Sequence, residues 1–192
     1  MLFRSYNLGM VLDVLSQQRL ELAATYFSIT QTNRVLQPSD AILAFEDTFP
    51  NLITRSPRTP TDVQMGLPGS LISIDESYLN SGRLDTSGVD LTAKSHFAVG
   101  RNIFDLSAAA TWTSKYRSAD YPGVPETGRV SVANPFGTIP RWKGTATIAW
   151  TRGSLSLSNT YRYTSSYQDA DFFGNRTGLT VKPPIYVDAQ AT

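Results

Sequence analysis

Few residues of this chain are suited to chemistry. There is one histidine and no cysteine. The absence of cysteine excludes thiol catalysis, disulfide staples and cysteine metal sites. His96 falls on the polar side of an alternating segment, beside Lys94 and close to a short turn. A catalytic triad or a metal site needs partners that the sequence does not assemble around it, so His96 reads as an ordinary polar residue on a wet face. Asp169, Asp171 and Gly174 spell Asp-x-Asp-x-x-Gly, a hint of calcium. An EF-hand type of loop would place glutamate at position 180, where Thr180 stands. Solvated loop carboxylates are therefore expected there. Glu46 with Asp47, and Asp75 with Glu76, are neighbouring carboxylates. Adjacent residues of a strand point to opposite faces, so neither pair suits acid–base work. The chain contains no Gly-x-Ser-x-Gly elbow, phosphate loop or dinucleotide fingerprint. Asn175-Arg176-Thr177 is a formal glycosylation sequon. The reading is of a non-enzyme with no catalytic residue, metal or cofactor.

What remains is recognition. Tyr116, Arg117, Tyr121, Arg129 and Phe136 lie in or beside one long stretch that carries no periodicity. Aromatic and arginine side chains on loops suit ligand capture, so these five are the expected ligand-binding residues.

The elements that hold such loops have a period of two. Tyr6, Leu8, Met10, Leu12 and Val14 alternate with Asn7, Gly9, Val11 and Asp13. Val89, Leu91, Ala93 and Phe97 alternate with Asp90, Thr92, Lys94 and His96. Phe104, Leu106, Ala108, Ala110 and Trp112 alternate with Asp105, Ser107, Ala109 and Thr111. Trp142, Gly144, Ala146, Ile148 and Trp150 alternate with Lys143, Thr145, Thr147 and Ala149. Successive strand side chains point to opposite faces, which gives each segment one apolar and one polar face. Seven strands are predicted, at about 5–15, 20–35, 71–98, 103–116, 141–151, 155–167 and 184–192. The second changes phase between Tyr26 and Phe27, as a bulge would make it do. The third is long, and Gly82 and Gly88 invite a bend or a break.

Connections alternate in length. Residues 16–19, 99–102 and 152–154 form short turns; 36–70, 117–140 and 168–183 are long and rich in proline. In the first long stretch Ser39 is placed to cap a short helix over Ala41–Phe45, with Asp40 at its positive end. Structureless loops beyond about 12–15 residues are uncommon in a compact domain. Short turns on one side and long loops on the other are the habit of an outer-membrane barrel.

Aromatic spacing sharpens this. Phe104 and Trp112 share a face, as do Trp142 and Trp150, and each pair is separated by eight positions. At about 3.3 Å per residue that is roughly 26 Å along a strand. A lipid-facing band is about 25 Å tall and edged by aromatic girdles, where rings sit between apolar and wet surroundings. No charge lies between these aromatics on their face. Phe104, Trp112, Trp142 and Trp150 are thus the expected girdle. A soluble β-sandwich also alternates, with one face of each sheet meeting a core, and is kept as the alternative.

Bulk properties agree with an ordered β protein. The 192 residues are 41% hydrophobic and 17% charged, with a net charge of +1. That excludes the high charge of disordered chains and the basic field of nucleic-acid binders. No run of about 20 apolar residues exists for a spanning helix. Asn7 and Asp13 interrupt the segment after Arg4, so the N-terminus does not form a signal peptide, and any export address lies outside the chain.

The residues then point to a family. Ser73 to Leu91, with Asn80-Ser81-Gly82 and Ser87-Gly88-Val89-Asp90-Leu91, resembles the Asn-x-Gly…Ser-Gly-(Val/Ile)-Asp-Leu strand of TonB-dependent receptors. Tyr6-Asn7-Leu8-Gly9, Leu20-Glu21-Leu22 and Tyr26-Phe27-Ser28-Ile29 resemble that family's strand, turn and Tyr-(Tyr/Phe)-x-Ile strand. Pro140-Arg141-Trp142-Lys143-Gly144 resembles the start of a later strand, and Tyr186-Val187-Asp188 a late one. The resemblance runs along nearly the whole chain in the expected order.

The resemblance implies an all-β, antiparallel transmembrane barrel of about 22 strands, of which residues 1–192 would supply about seven, near the fourteenth to twentieth. Its short turns would be periplasmic and its long loops extracellular. The implied function is active uptake of a scarce nutrient across the outer membrane of a Gram-negative bacterium. Its ligand classes are siderophore, cobalamin and oligosaccharide, and the energy comes through the TonB complex. A passive porin-like barrel is the nearer alternative. Partners would be outer-membrane lipid, the rest of the barrel, an N-terminal plug and a small ligand, with no nucleic acid. Three departures are noted: no plug, no energy-coupling box, and no final strands closing on a terminal aromatic. Met1 therefore reads as an internal start or a cut gene, with a plug expected upstream and about two strands ending in Phe or Trp downstream. Seven strands cannot close an even-numbered barrel, and open edges in lipid leave backbone groups unpaired at several kcal/mol each.

Overall fold

The structure is a computed structural model that describes residues 2–14, 19–37, 42–43, 46–119, 126–133, 138–170 and 176–192. Its elements in chain order are β1 (Leu2–Val14), β2 (Arg19–Leu36), β3 (Ile53–Arg55), α1 (Pro60–Met65), β4 (Leu71–Ile74), β5 (Leu79–Val99), β6 (Asn102–Ala119), β7 (Thr127–Gly128), β8 (Trp142–Arg152), β9 (Leu155–Thr164), β10 (Tyr167–Ala170), β11 (Arg176–Val181) and β12 (Tyr186–Ala191). The main sheet is antiparallel and runs β1-β2-β5-β6-β8-β9-β12, with β7 added on β6. Along this sheet the strands follow one another in chain order, as in a meander, with β3, β4, β10 and β11 pairing apart from it. The barrel is not closed by these strands; β1 and β12 stand at the two ends of the sheet. Among the described residues no helix is long and apolar enough to cross a membrane.

The seven long strands of the sequence reading are these seven, with changes at their ends. The segment expected over 71–98 is two strands. β4 leaves the main sheet and pairs with β3, and β5 begins after Tyr78. The segment expected over 155–167 ends at Thr164, and Tyr167 starts β10 instead. β10 pairs with β11, so the expected long loop over 168–183 contains a hairpin. The helix expected over Ala41–Phe45, with Ser39 and Asp40 at its start, lies outside the described residues apart from Ile42 and Leu43, which form a turn.

Two compact units compose the chain. The smaller comprises Met1–Phe3, Gln31–Arg83 and Ala119–Glu126. It contains two 3-10 turns, Glu46–Thr48 and Pro50–Leu52, then β3, α1 and β4. α1 is short because its signals are strong at both ends. Thr59 accepts from the Asp62 amide while the Asp62 carboxylate accepts from the Thr59 amide, a reciprocal capping box, and Pro60 supplies the fixed first turn. Gly66 ends it at φ +67, a left-handed conformation that costs glycine little. The bonds from Thr59 hold the Asp62 carboxyl below the usual carboxylate range. Ile42 and Phe49 are the buried hydrophobic residues among those described, and both belong to this unit.

The larger unit comprises Arg4–Thr30, Leu84–Ser118 and Thr127–Thr192. Two of its hairpins have two-residue turns, Gly100-Arg101 and Gly153-Ser154. The first glycine of each has positive φ, +62 and +60, as tight hairpins require. These turns fix the register of β5 against β6 and of β8 against β9. In the β6–β8 ladder Phe104 opposes Trp150, Leu106 opposes Ile148, Ala108 opposes Ala146, Ala110 opposes Gly144, and Trp112 opposes Trp142. The β8–β9 ladder then places Leu157 across from Trp150 and Tyr161 across from Ala146.

The phase change in β2 has a packing cause. Glu21 reaches Lys94 on β5, with N and O 3.7 Å apart, so odd positions of β2 share a face with even positions of β5. Phe27 follows the same rule without a bulge. A Cβ added to Gly88 would come within 2.7 Å of the Phe27 ring, which therefore lies directly over that glycine. An apolar ring on the polar face is tolerated because Gly88 leaves a shelf for it.

Candidate functional site

The partition between faces is the main chemical feature of the larger unit. One face of β6, β8, β9 and β12 carries Leu106, Ala108, Ala146, Ile148, Leu157, Tyr161, Val187 and Ala189 in register, with the uncharged amide Asn159 among them, opposite Ile148 and Ala189. Ile148 in the middle of this face is 45% exposed, and Leu157 and Tyr161 are also exposed. No second sheet covers them in this unit, so the interior of a sandwich is absent from its described residues. The sandwich alternative fails on this point. A largely apolar, charge-free face left in the open marks a surface that meets something apolar.

Aromatic rings stand at both ends of that face. Trp112 and Trp142 pair with centroids 6.3 Å apart. At the other end Phe97 stacks on Phe104 at 5.0 Å, and Trp150 lies opposite Phe104. The Trp150 indole N–H donates to the Asn102 side-chain oxygen at 3.1 Å, beside the Gly100-Arg101 turn. An indole with an apolar body and a satisfied polar tip suits a boundary between hydrocarbon and water. The four aromatics expected as a girdle are brought together in two rows, and Phe97 joins them. Phe97 was legible in the alternation, since it shares the phase of Leu91 and Ala93.

The opposite face is polar and internally bonded. The Thr147 and Thr160 hydroxyls are 2.9 Å apart, Thr111 donates to Asp90 at 2.6 Å, and Arg162 pairs with Asp188. A cavity of about 830 Å³ lies against this face, lined by residues that include Glu21, Lys94, His96, Asp105, Ser107 and Thr147. His96 does have a partner here: its Nδ1 is 2.6 Å from the Asp105 carboxylate. Sequence reasoning did not assign Asp105, yet the two-residue turn at Gly100-Arg101 is the signal that places positions 96 and 105 across from one another. Both side chains are more than half exposed, so the pair is a solvent-screened contact on a wet wall. Among the described residues no group of three or more His, Asp and Glu side chains is placed to hold a metal.

At the long-loop end of β6 the structure assembles three of the five expected ligand-binding residues. The Arg129 amide donates to the Tyr116 carbonyl at 2.9 Å. Arg117 stands opposite Gly128 in the short β6–β7 ladder. The Arg129 Nε donates to the buried Ser118 hydroxyl at 2.7 Å, which fixes the guanidinium's direction. The buried Asp85 carboxylate accepts from Thr30 at 2.7 Å and faces Lys115, the neighbour of Tyr116 on β6, at 3.8 Å. These contacts satisfy a carboxylate that would otherwise be costly to bury. Tyr121 and Phe136 lie outside the described residues. So do Asp171 and Gly174 of the Asp-x-Asp-x-x-Gly stretch, and Asn175 of the sequon. The described member of the former, Asp169, accepts from the Thr177 hydroxyl at 3.3 Å.

In the smaller unit the neighbouring carboxylates are engaged singly. Arg55 grips Glu46 with Nε at 2.7 Å and Nη2 at 2.9 Å, while its Nη1 donates to the Gly69 carbonyl at 3.0 Å. The Arg55 hydrogen bonds hold the Glu46 carboxyl below its ordinary range. Asp75 accepts from the Ser77 hydroxyl and amide, which lowers it likewise. Neither pair of neighbours forms a shared acid–base site.

The family model described as TonB dependent receptor-like, beta-barrel matches residues 4–192. That family comprises outer-membrane receptors and transporters and is not an enzyme family. No curated protein matches the chain.

Proposed function

Because the chain belongs to the TonB-dependent receptor β-barrel family, we propose that residues 1–192 form part of the wall of an outer-membrane active transporter for a scarce nutrient. The wall turns its apolar face to lipid and its polar face to a lumen that holds a plug. The plug and the remaining strands belong to a longer chain. Strand edges at β1 and β12 support this, because an unpaired edge in hydrocarbon costs several kcal/mol per group and must be covered by further strands. Uptake is energised through the TonB complex acting on the plug. The long-loop end around Tyr116, Arg117 and Arg129 captures a ligand of the siderophore, cobalamin or oligosaccharide class, and the lumen wall lets it pass when the plug moves.

One observation carries the reading: a charge-free, exposed and largely apolar band on β6, β8 and β9, with Asn159 as an uncharged polar side chain within it, closed at both ends by aromatic pairs in register. The test sets two arginines against each other. Ile148→Arg puts a charge in the middle of the band, and Ser107→Arg puts one on the opposite face. In the full receptor chain inserted in lipid vesicles, Ile148→Arg is expected to lose about 2–4 kcal/mol of stability, the cost of a lipid-facing arginine near the bilayer centre. Ser107→Arg is expected to insert normally. Equal tolerance of both would reject the membrane assignment of these faces.

A further inference from the structure

The β10–β11 hairpin is too slight to stand by itself. Its strands have four and six residues, and the register breaks between Gln168 and Ala170. Thr177, Gly178, Leu179 and Thr180 are exposed, so burial contributes little. A lone two-stranded hairpin is marginal in water. What holds this one is a backbone seam along the free edge of β10. The Gln168 amide donates to the Ser131 carbonyl at 2.8 Å, and the Ala133 amide donates to the Gln168 carbonyl at 2.8 Å. Val132 thereby bridges Gln168 in the parallel sense, and β10 becomes the middle of three extended segments. Ser131 also donates from its amide to the Ile139 carbonyl at 2.7 Å, in a second parallel bridge between Val130 and Ile139. To serve both partners Ser131 takes φ +59, a left-handed conformation that costs a non-glycine residue about 1 kcal/mol or more.

We infer that the segment around Ser131 and the β10–β11 hairpin open and close as one body, locked through Gln168. The described parts of the two connections, one following β6 and the other following β9, then move as a single platform in place of two independent segments. Arg129 borders it, held to β6 by its own bonds to the Tyr116 carbonyl and the Ser118 hydroxyl. The coupling depends on backbone bonds alone and stands whether or not the ligand-capture reading holds.

Hydrogen exchange on the full receptor chain in lipid vesicles tests this. Ala133→Pro removes the amide that reaches Gln168 and leaves the β10–β11 pairing untouched. Exchange is expected to rise roughly tenfold both in peptides around residues 129–133 and in peptides over 176–181, while the β8–β9 ladder stays protected. Ser131→Gly relieves the left-handed φ and keeps every bond of the seam. It is expected to slow exchange in both places together. The inference is overturned if Ala133→Pro frees only its own segment, or if Ser131→Gly changes one segment and not the other.

Discussion

Trp112 stands across from Trp142 in the β6–β8 ladder, their ring centroids 6.3 Å apart and their planes tilted by 39°. Because the strands are antiparallel and each carries a second aromatic eight positions along, the same register brings Phe104 opposite Trp150. A slip of one residue between the strands would send the two aromatics of one strand to the wrong face.

The pair should therefore act as a unit. Trp112→Ala and Trp142→Ala are each expected to destabilise the inserted barrel. A double-mutant cycle should show about 0.5–1.5 kcal/mol of coupling, the range for tilted aromatic pairs. Urea unfolding from lipid vesicles measures it. Strict additivity would mean that the two rings do not interact.

Gly88 is the second test. A Cβ there would lie 2.4 Å from the Trp112 carbonyl oxygen and 2.7 Å from the Phe27 ring. Gly88→Ala is expected to cost about 1–3 kcal/mol, the usual penalty of overpacking. Adding Phe27→Ala should restore little, because the backbone oxygen stays in place. Full rescue by the second change would show that the ring sets the limit and the ladder has room to move.

A third expectation concerns acid. The bonds from Arg55 lower the Glu46 carboxyl in the folded state. A depressed acid contributes stability above its unfolded value, and loses that contribution as pH falls through the folded value. Protection of residues 46–74 against limited proteolysis should therefore be full at neutral pH and decline as pH falls below about 4.5. Glu46→Gln should be cut faster than the native chain at neutral pH and equally fast at low pH. A constant ratio across that window would remove the ion pair as the cause.

Much of the sheet was readable because its physics is local. Alternation named the faces of β1, β6 and β8, and the glycines at positions 100 and 153 marked turns tight enough to fix register. The capping box at Thr59-Pro60-Thr61-Asp62 was equally local and is a legible sign of α1 that sequence reasoning passed over in favour of Ser39. The phase change at Phe27 invited a bulge because its cause, Gly88 on the next strand, is sixty-one positions away. The loop end was harder. Tyr116, Arg117 and Arg129 were picked out by residue type, and what gathers them is a set of amide-to-carbonyl bonds that leave no mark on side-chain pattern.

The sequence by itself determined the period of two, the two faces of each strand and the alternation of short and long connections, since each follows from which side chains prefer water and where glycine permits a turn. Tertiary structure decided the rest. It sent β4 to β3 and not to the main sheet, and it paired β10 with β11 and fastened β10 to Ser131 and Ala133 through Gln168. Those outcomes depend on backbone groups finding partners across long stretches of chain, and every non-proline residue offers the same donor and acceptor whatever its side chain.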